Sequence, residues 1–470
     1  MPRRGARARA QDNAHHAIKQ LPRVFARNHM AALTPLSDAQ VRQINSHAKK
    51  LISDYGLRVL CETARALYHE AGADVDKASQ MVRMAPELVD ELVASAPSCF
   101  TLHSYNARQQ ITIGGNHINF GMVSGPPNVH DDCHGRRAGN FADYQNFIKL
   151  GQAFNAIDFF GNQTLSPSDL PVNTRHLDTN LANFKLTDKP FLSMSIGHVR
   201  VSDTAQMMAI ARGCALEDLA NAPAAITNIS INSPRKFDAE MSSALIALAK
   251  LGQPIVVTPF TLMGAMTPAT LAGALTQQHA EALFAIALTQ IVRKGSPVVY
   301  GGFTSNVDMK SGAPAFGTPE NSLANLAGGQ LARLYHLPYR TSACSASTSV
   351  DAQAVWETQM ALWGAVQGHG NMIYHAAGWS EGGLVASYEK LVIDCEMIQA
   401  TKAMLKPLEF SNDDFGFSAH DEVEPGGHFF GASHTMSRYQ SAFYEPFLSD
   451  WTNYEGWLEK GGKTPRSARL

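Results

Sequence analysis

The residues of this 470-residue chain that could do chemistry follow short apolar runs, and most carry aromatic, amide or hydroxyl side chains. They are Phe120, Met122, Asn162, Gln163, Ser195, His198, Asn228, Ser230, Thr258, Phe260, Tyr300, Phe303, Ser342, Cys344, Tyr374, His375 and Trp379. Aromatic faces attract quaternary ammonium groups through the ring quadrupole, by about 0.5–2 kcal/mol per well-placed ring. The set therefore indicates a pocket for a bulky, weakly hydrated, cationic molecule.

Several of these side chains also have a purely structural interpretation. Phe120, Phe260 and Phe303 could instead fill interior layers of a barrel, and His375 could be a core histidine bonded to backbone. We expect Tyr374 to point away from its neighbour His375, because successive side chains alternate between the two faces of a regular strand.

The sequence lacks the residues that several other classes of barrel enzyme need for their chemistry. The first apolar run has no His-x-His pair for a binuclear metal centre, and no CxxxCxxC motif is present for an iron–sulfur radical site. No lysine ends an apolar run, so a Schiff-base nucleophile is missing. We interpret the loop His130–His134 as a solvated turn, and His428 and His434 as structural, so the sequence predicts no metal site.

Eight apolar runs alternate with segments of helical length, which is typical of parallel strands buried on both faces. The runs are Ile118–Val123, Asp158–Thr164, Phe191–Ile196, Ala224–Ser230, Pro254–Phe260, Pro297–Phe303, Tyr339–Cys344 and Asn371–Ala376. The segments that follow them are Asp143–Phe154, Asn173–Lys185, Asp203–Ala215, Phe237–Lys250, Thr270–Arg293, Pro319–Tyr335, Val350–Val366 and Leu384–Leu405. This alternation predicts an α/β fold, a (β/α)8 TIM barrel, with its chemistry at the carboxyl ends of the strands.

The rest of the chain forms additions to the barrel, which itself covers residues 118–405. We expect a flexible arm over residues 1–30, an N-terminal α+β cap over 31–117 and a C-terminal extension over 406–470. Within the cap, Ser37 and Gln40 form a helix-capping pair, and Gly114-Gly115 indicates a hairpin turn. The basic arm and the aromatic extension favour a homo-oligomer.

Composition excludes some partners. The formal net charge is −2 and the pI is about 6.8, so no global field recruits nucleic acid or an acidic membrane. We expect no membrane span, because no uninterrupted apolar stretch reaches the roughly 18–20 residues that a span needs. We expect no secretory signal, because no apolar segment follows the basic residues Pro2–Arg9. Six scattered cysteines without a CxxC pair fit a reducing, cytoplasmic compartment.

A set of ordered motifs resembles one enzyme family. They are Ser124–Pro127, Gly135–Arg137, Thr187–Pro190, Leu262–Ala265, Gln277-Gln278 with Glu281, Asp308–Lys310 with Gly317, Pro319-Glu320, His375–Gly383, Tyr388–Lys390 and Asp394. Together they resemble the trimethylamine methyltransferase family, in particular its branch without pyrrolysine, which includes glycine betaine methyltransferase. The resemblance runs from about Leu33 to Trp457.

The resemblance implies a barrel enzyme that moves a methyl group from an N-methylated amine to the Co(I) of a cognate corrinoid protein. The corrinoid (cobalamin) would belong to that partner, with none bound covalently here and no catalytic side chain. In the trimethylamine enzymes pyrrolysine lies in the segment that corresponds to Thr341–Asp351, which here has only standard residues. A quaternary amine such as glycine betaine is therefore the expected substrate.

For a betaine, His375 beside Trp379 is the predicted carboxylate donor, and Phe303, Phe120 and Trp379 are the predicted cage. Further predicted substrate-binding residues are Tyr374, Asn162, Gln163, Asn228, Cys344 and Glu381, of which Asn162, Gln163 and Asn228 could also meet the corrinoid, and Cys344 could fill a pocket.

Two alternatives stay open at this point. The segment Gly378–Gly383 follows the eighth run and leads into a helix, a common phosphate position in barrels, so the substrate could be a phosphorylated metabolite with His198 or His375 as base. The chain could also bind betaines without catalysing any reaction.

Overall fold

The computed structural model describes residues 18–161, 163–194 and 196–463. Most of the predicted arm, 1–17, therefore lies outside the described residues. The part of the arm that is described contacts the rest of the same chain: the Leu21 backbone N–H donates to Gln399, and the Asn28 side-chain amide donates to the Val366 carbonyl.

Helices account for much of the described chain. Their bounds are α1 Asp38–Lys50, α2 Glu62–Glu70, α3 Pro86–Val93, α4 Phe141–Ala153, α5 Arg175–Leu186, α6 Gly197–Arg212, α7 Ala239–Lys250, α8 Leu271–Val292, α9 Pro319–Leu334, α10 Ala352–Gln367, α11 Tyr388–Met404, α12 Phe417–Asp421, α13 Ser433–Arg438 and α14 Tyr454–Glu459. Side-chain caps fix several of their starts. Ser37 and Gln40 form the predicted capping box of α1, and Asp238 and Ser387 cap α7 and α11.

The strands are short. Their bounds are β1 Leu57–Val59, β2 Asp74–Asp76, β3 Met81–Arg83, β4 Cys99–Leu102, β5 Ile111–Gly114, β6 Asn119–Met122, β7 Asn128–Asp131, β8 Gly135–Ala138, β9 Thr227–Ile229, β10 Lys236–Phe237, β11 Ile255–Val257, β12 Phe260–Met263, β13 Val298–Gly301, β14 Phe303–Val307, β15 Pro314–Ala315, β16 Tyr339–Ser342, β17 Met372–Ala377, β18 Trp379–Ser380 and β19 Val385–Ser387.

Six of these strands form a curled parallel sheet in the order β6-β17-β16-β13-β11-β9. Long helices separate them in sequence, as parallel connections require. Three isolated parallel bridges join consecutive predicted runs. Gly121–Phe159 joins the first run to the second, Phe160–Phe191 the second to the third, and Leu192–Ile226 the third to the fourth. The prediction of an α/β fold around a parallel sheet is thus confirmed, whereas the complete eight-stranded barrel stays a prediction.

A hairpin covers the amino-terminal end of this sheet. Its strands β4 and β5 pair antiparallel, and their side chains Leu102 and Ile113 are buried with Val256 and Val299 of the parallel strands. The predicted turn at Gly114-Gly115 is present, because the His117 backbone N–H donates to the Gly114 carbonyl at 3.2 Å. It does not close a hairpin, since β5 pairs with β4 and the hairpin reverses over residues 103–110, where Ser104 and Tyr105 bond to the backbone carbonyls of Asp188 and Thr187. The two glycines, both at positive φ, redirect the chain into β6.

The N-terminal helices pack on α8, the long buried helix of the central region. Tyr68 donates its hydroxyl to the Phe284 carbonyl at 2.9 Å, and Asn45 bonds to His279 at 3.0 Å. Strand β1 also pairs in parallel with β10, so this section shares a sheet with the region that follows it in sequence. In the part of the chain that is described, no helix combines the length and apolarity of a membrane span.

The C-terminal extension makes limited contact with the rest of the chain. Glu396 of α11 accepts hydrogen bonds from the Tyr444 hydroxyl and from the backbone N–H groups of Phe447 and Leu448. Many of its large apolar side chains are exposed: Leu408, Phe410, Phe415, Phe417, Phe429, Phe430, Met436, Tyr439, Phe443, Trp451, Tyr454 and Leu458.

Candidate active site

A cavity of about 570 Å³ opens at the carboxyl ends of the parallel strands. The residues that line it come from strand ends and from the loops that follow them: Ser124, Asn228, Ser230, Ile231, Asn232, Ser233, Thr258, Phe260, Met266, Phe303, Arg340, Tyr374, His375, Trp379, Gly382, Gly383 and Leu384. No aspartate, glutamate, lysine or cysteine is among these lining residues. The location of the cavity is the one that the barrel prediction gives for chemistry.

Aromatic rings form one wall of the cavity. The rings of Phe260 and Phe303 have centroids 4.9 Å apart, and Trp379 lies 6.3 Å from Phe303 with its plane nearly perpendicular. Phe316, which is buried behind them, stacks on Phe303 at 5.4 Å and fixes its orientation. We name Phe260, Phe303 and Trp379 the ring wall; aromatic rings in a cavity lining can attract a bound cation.

Glycine allows Trp379 to sit in this wall. A Cβ at Gly383 would lie 2.5 Å from the Trp379 ring, and the Gly383 backbone is at φ +104°. Any other residue at this position would displace the indole. The glycine-rich segment after the eighth run therefore packs against a ring.

Arg340 is a functional candidate that the sequence analysis missed. It lies on β16, is only 2% exposed, and its guanidinium stacks over the rings of Phe303 at 4.7 Å and Tyr374 at 4.3 Å. Burial lowers the pKa of Arg340 from its ordinary value. A charged residue inside an otherwise apolar run was the signal that could have identified it.

His375 and Tyr374 both line the cavity, so the expectation that they face opposite sides of the sheet is wrong. His375 has φ +58°, and the pairing of β17 with β6 shifts register between Ile373 and Ala377. Such a bulge breaks the alternation of side chains and turns an extra one toward the same face. Left-handed backbone at a non-glycine residue is costly and is typical of functional sites.

Arg340 also determines the state of His375. The Arg340 Nη2 lies 3.3 Å from His375 Nε2, so Nε2 accepts and the ring proton is assigned to Nδ1. Burial, and secondarily the positive charge of Arg340, hold the pKa of His375 well below 6.5. His375 is therefore a neutral hydrogen-bond donor in the cavity and not a cation.

Several buried polar atoms at the cavity have no hydrogen-bond partner within the described part of the chain. They are Asn228 Oδ1, Thr258 Oγ1, Arg340 Nε, the Tyr374 hydroxyl, His375 Nδ1 and Trp379 Nε1. Buried polar groups in folded proteins are normally satisfied, so a cluster of unsatisfied ones marks a place for a polar ligand or water.

The cavity thus brings together five of the residues predicted to bind substrate: His375, Trp379, Phe303, Tyr374 and Asn228. It also contains Phe260, Thr258 and Ser230, which belong to the set of residues after the apolar runs, and it adds Arg340, which that set lacks.

The other predicted residues do not line the cavity. Phe120 is fully buried, with Lys402 Nζ 5.6 Å from its ring centroid. Gln163 is fully buried, and neither of its side-chain polar atoms has a hydrogen-bond partner among the described residues. Glu381 pairs with Arg136 at 2.8 Å. Burial raises the pKa of Cys344 to about 12, so its thiol is protonated and unreactive. Asn162 lies outside the described residues.

One group of possible metal ligands occurs among the described residues, away from the cavity lining. His130, Asp132 and Glu389 have ligand atoms within 4.8 Å of one another. They join the β7–β8 hairpin to the start of α11, where Glu389 also accepts the Asp132 backbone N–H.

Comparison with known proteins gives consistent matches over nearly the full length. The family model described as trimethylamine methyltransferase matches residues 2–469. Glycine betaine methyltransferase of Desulfitobacterium hafniense (strain Y51) is 33% identical over 434 residues, which cover 92% of this chain and 90% of the relative. Proline betaine:corrinoid methyltransferase of Eubacterium limosum is 26% identical over 385 residues, covering 80% and 79%. The crystal structure of the Methanosarcina barkeri monomethylamine methyltransferase covers 85% of both chains at 12% identity and a TM-score of 0.49.

Proposed function

The chain belongs to the trimethylamine methyltransferase family, and we propose that it transfers a methyl group from a quaternary amine, such as glycine betaine, to the Co(I) of a separate corrinoid protein. The observation that carries this proposal is the ring wall: Phe260, Phe303 and Trp379 face a cavity whose lining contains no carboxylate, lysine or cysteine. Rings attract an onium group, and the missing groups are those that other barrel enzymes use as nucleophile, base or metal ligand.

The proposed step is an in-line displacement at a methyl carbon. The C–N bond breaks, the amine nitrogen keeps the electron pair, and the methyl carbon bonds to cobalt, which is formally oxidised from Co(I) to Co(III). The leaving group is a neutral tertiary amine, so no general acid is needed. The chain contributes binding, orientation and exclusion of water, which together lower the barrier by positioning.

The finer architecture belongs to the same proposal. The isolated bridges at Gly121–Phe159, Phe160–Phe191 and Leu192–Ile226 connect the two edges of the six-stranded sheet through two further extended segments. We take these segments as the second and third strands of a closed (β/α)8 barrel. In such a barrel the cavity lies at the mouth, where a large partner reaches it without entering the protein.

The partner would dock at this mouth. Leu384 lines the cavity and is also 50% exposed, so it marks the opening to solvent. The cobalamin would remain with the partner. The proposed compartment is the cytoplasm, which agrees with cysteines that form no disulfide among the described residues.

A phosphorylated substrate is less well supported. The Gly378 backbone N–H, which a phosphate at this turn would need, already donates to the Asp394 carboxylate at 2.8 Å. That buried carboxylate would repel a phosphate.

The proposed function is tested by incubating the protein with cob(I)alamin and a panel of glycine betaine, proline betaine, carnitine and trimethylamine. We expect methylcobalamin absorbance to appear with at least one quaternary amine and to be lost in Trp379→Ala. No methyl transfer with any of them, even with the native corrinoid protein, would contradict it, and betaine binding without transfer would select the non-catalytic alternative.

A further inference from the structure

Resting on the proposed function, we propose that Arg340 anchors a carboxylate of the substrate and thereby restricts the cavity to zwitterions. The accepted class would be N-methylated ammonium compounds that also carry a carboxylate, and compounds with only the positive charge would be rejected.

The first step of the argument is that Arg340 is a buried cation without an anion. No carboxylate of the described residues lies within 4.0 Å of its guanidinium. Two buried lysines, Lys390 and Lys402, pair with Asp394 and Asp158, each at 2.8 Å. A third, Lys189, donates to the backbone carbonyls of Gly151 and Phe154 and lies outside the cavity lining. Buried charges in proteins are normally paired, so the partner of Arg340 is expected to come from the ligand.

The second step concerns the donors that remain free. Arg340 Nη1 donates to the Gly302 carbonyl at 3.2 Å, and Nη2 donates to His375 Nε2 at 3.3 Å. Nε has no partner within the described part of the chain. A guanidinium has five N–H groups in a planar fork that matches a carboxylate, so Arg340 keeps unused donors at the cavity wall.

The third step is that the same cavity lining contains other unpartnered donors. His375 Nδ1 and the Tyr374 hydroxyl are buried, unpartnered and part of the cavity lining. Tyr374 lies directly under the guanidinium, with its ring 4.3 Å away. A carboxylate held by Arg340 in this cavity thus has neutral donors available in the same lining. In this arrangement His375 assists the carboxylate contact, and Arg340 supplies its charge.

The fourth step is electrostatic. Phe303 is both the ring under the guanidinium, at 4.7 Å, and a member of the ring wall, so the cation site and Arg340 are neighbours. A lone onium ion here would face an uncompensated positive charge in a poorly solvated cavity, and like charges at short range repel. A carboxylate on the same molecule cancels that repulsion.

Binding measurements separate this proposal from the proposed function. Isothermal titration calorimetry on the full chain would use glycine betaine, proline betaine, carnitine and choline, the last having the onium group but no carboxylate. We expect at least one carboxylate-bearing compound to bind at least about 100-fold tighter than choline, as a charge-assisted pair in a buried site requires.

Arg340→Met and Arg340→Lys provide the matched variants. In Arg340→Met we expect affinity for the carboxylate compound to fall at least about 100-fold, while affinity for choline stays equal or rises because the repulsion is removed. Arg340→Lys keeps the charge and should recover part of the loss. A general folding defect would instead weaken both compounds together, and a thermal melt of each variant identifies it.

The opposite results overturn the proposal. Two results with the wild-type protein alone would refute the carboxylate site: equal affinity for choline and for every carboxylate compound, or no binding of any of the four compounds. Arg340-dependent binding without methyl transfer to cob(I)alamin would uphold the carboxylate site and refute the proposed function, so the two failures are distinguishable.

Discussion

At the scale of single residues, Phe303 connects the two halves of the cavity. One contact is with the Arg340 guanidinium and another is with Phe260, so the same ring borders the proposed carboxylate site and the ring wall. Phe316 is 1% exposed and holds this ring from behind. A substitution at Phe303 should therefore disturb both halves, whereas one at Phe260 should affect only the onium contact.

The ring wall gives the first prediction. Phe260→Leu removes a π face but keeps an apolar side chain, so we expect affinity for the preferred quaternary amine to fall roughly 3–30-fold, the range for one cation–π contact. Isothermal titration calorimetry measures it. Phe120→Leu is the control, because Phe120 is buried outside the cavity lining, and its affinity should equal that of the wild type. A loss of affinity in Phe120→Leu alone would restore Phe120 to the cage.

At the scale of elements, α11 holds the turn that carries Trp379. Asp394 accepts from the Gly378 backbone N–H and pairs with Lys390, both contacts at 2.8 Å, and Lys390 also donates to the Thr358 hydroxyl of α10. A buried carboxylate on one helix thus fixes the turn after β17. The position of Trp379 depends on this helix as much as on its own strand.

This buried pair gives the second prediction. Asp394→Asn leaves the Lys390 ammonium uncompensated, so we expect the free energy of unfolding to fall by about 3–5 kcal/mol. Equilibrium denaturation in urea measures the change. The double variant Lys390→Met/Asp394→Leu removes both charges and should cost less than Asp394→Asn, and a larger cost for the double variant would show that the pair itself stabilises the fold.

The long helix α8 gives the third prediction. His279 is fully buried between Asn45 and Tyr300, and burial lowers its pKa to about 3. Because the unfolded chain binds this proton near pH 6.5 and the folded chain does not, the free energy of unfolding falls as the pH drops below 6.5. One such histidine contributes a slope of up to about 1.4 kcal/mol per pH unit.

We therefore expect His279→Gln to lose stability less steeply than the wild type between pH 6.5 and pH 5, as measured by urea midpoints across this range. His69→Gln, at an exposed position of α2, serves as the control and should keep the wild-type slope. An unchanged slope in His279→Gln would show that His279 is protonated in the folded protein.

At the scale of the whole molecule, the C-terminal extension does not pack as a core does. Phe430 is 81% exposed and Phe443 is 83% exposed, and the twelve large apolar side chains named for this extension are between 40% and 84% exposed. Exposed apolar surface in larger patches marks interaction sites. The homo-oligomer predicted from the basic arm and this aromatic segment would bury these side chains against a second copy of the chain.

The fourth prediction follows. Sedimentation or light scattering of the full chain should give an oligomer, and Phe430→Asp/Phe443→Asp should shift the mass toward the 50.9 kDa of one chain. Ile210→Asp introduces the same charge at an 80% exposed position of α6 and should leave the oligomer intact. A wild-type mass of 50.9 kDa would refute the interface.

The sequence by itself determined the alternation of strands and helices and the edge at which the cavity forms. Continuous apolar runs must be buried on both faces, and helices between them force parallel pairing, so Phe303, Trp379 and Asn228 could be assigned to one site from chain order alone. The family motifs are distributed along these runs and helices, and the resemblance that they carry predicted the methyl-transfer reaction.

Only the tertiary structure decided which side chains face the cavity. Tyr374 and His375 share it because a bulge at φ +58° breaks the alternation of β17, and local backbone of this kind depends on packing rather than on residue type. Phe120 lies in the core and Arg340 lines the cavity, because strand twist and register decide which side chains point inward. Neither twist nor register can be read from the sequence alone.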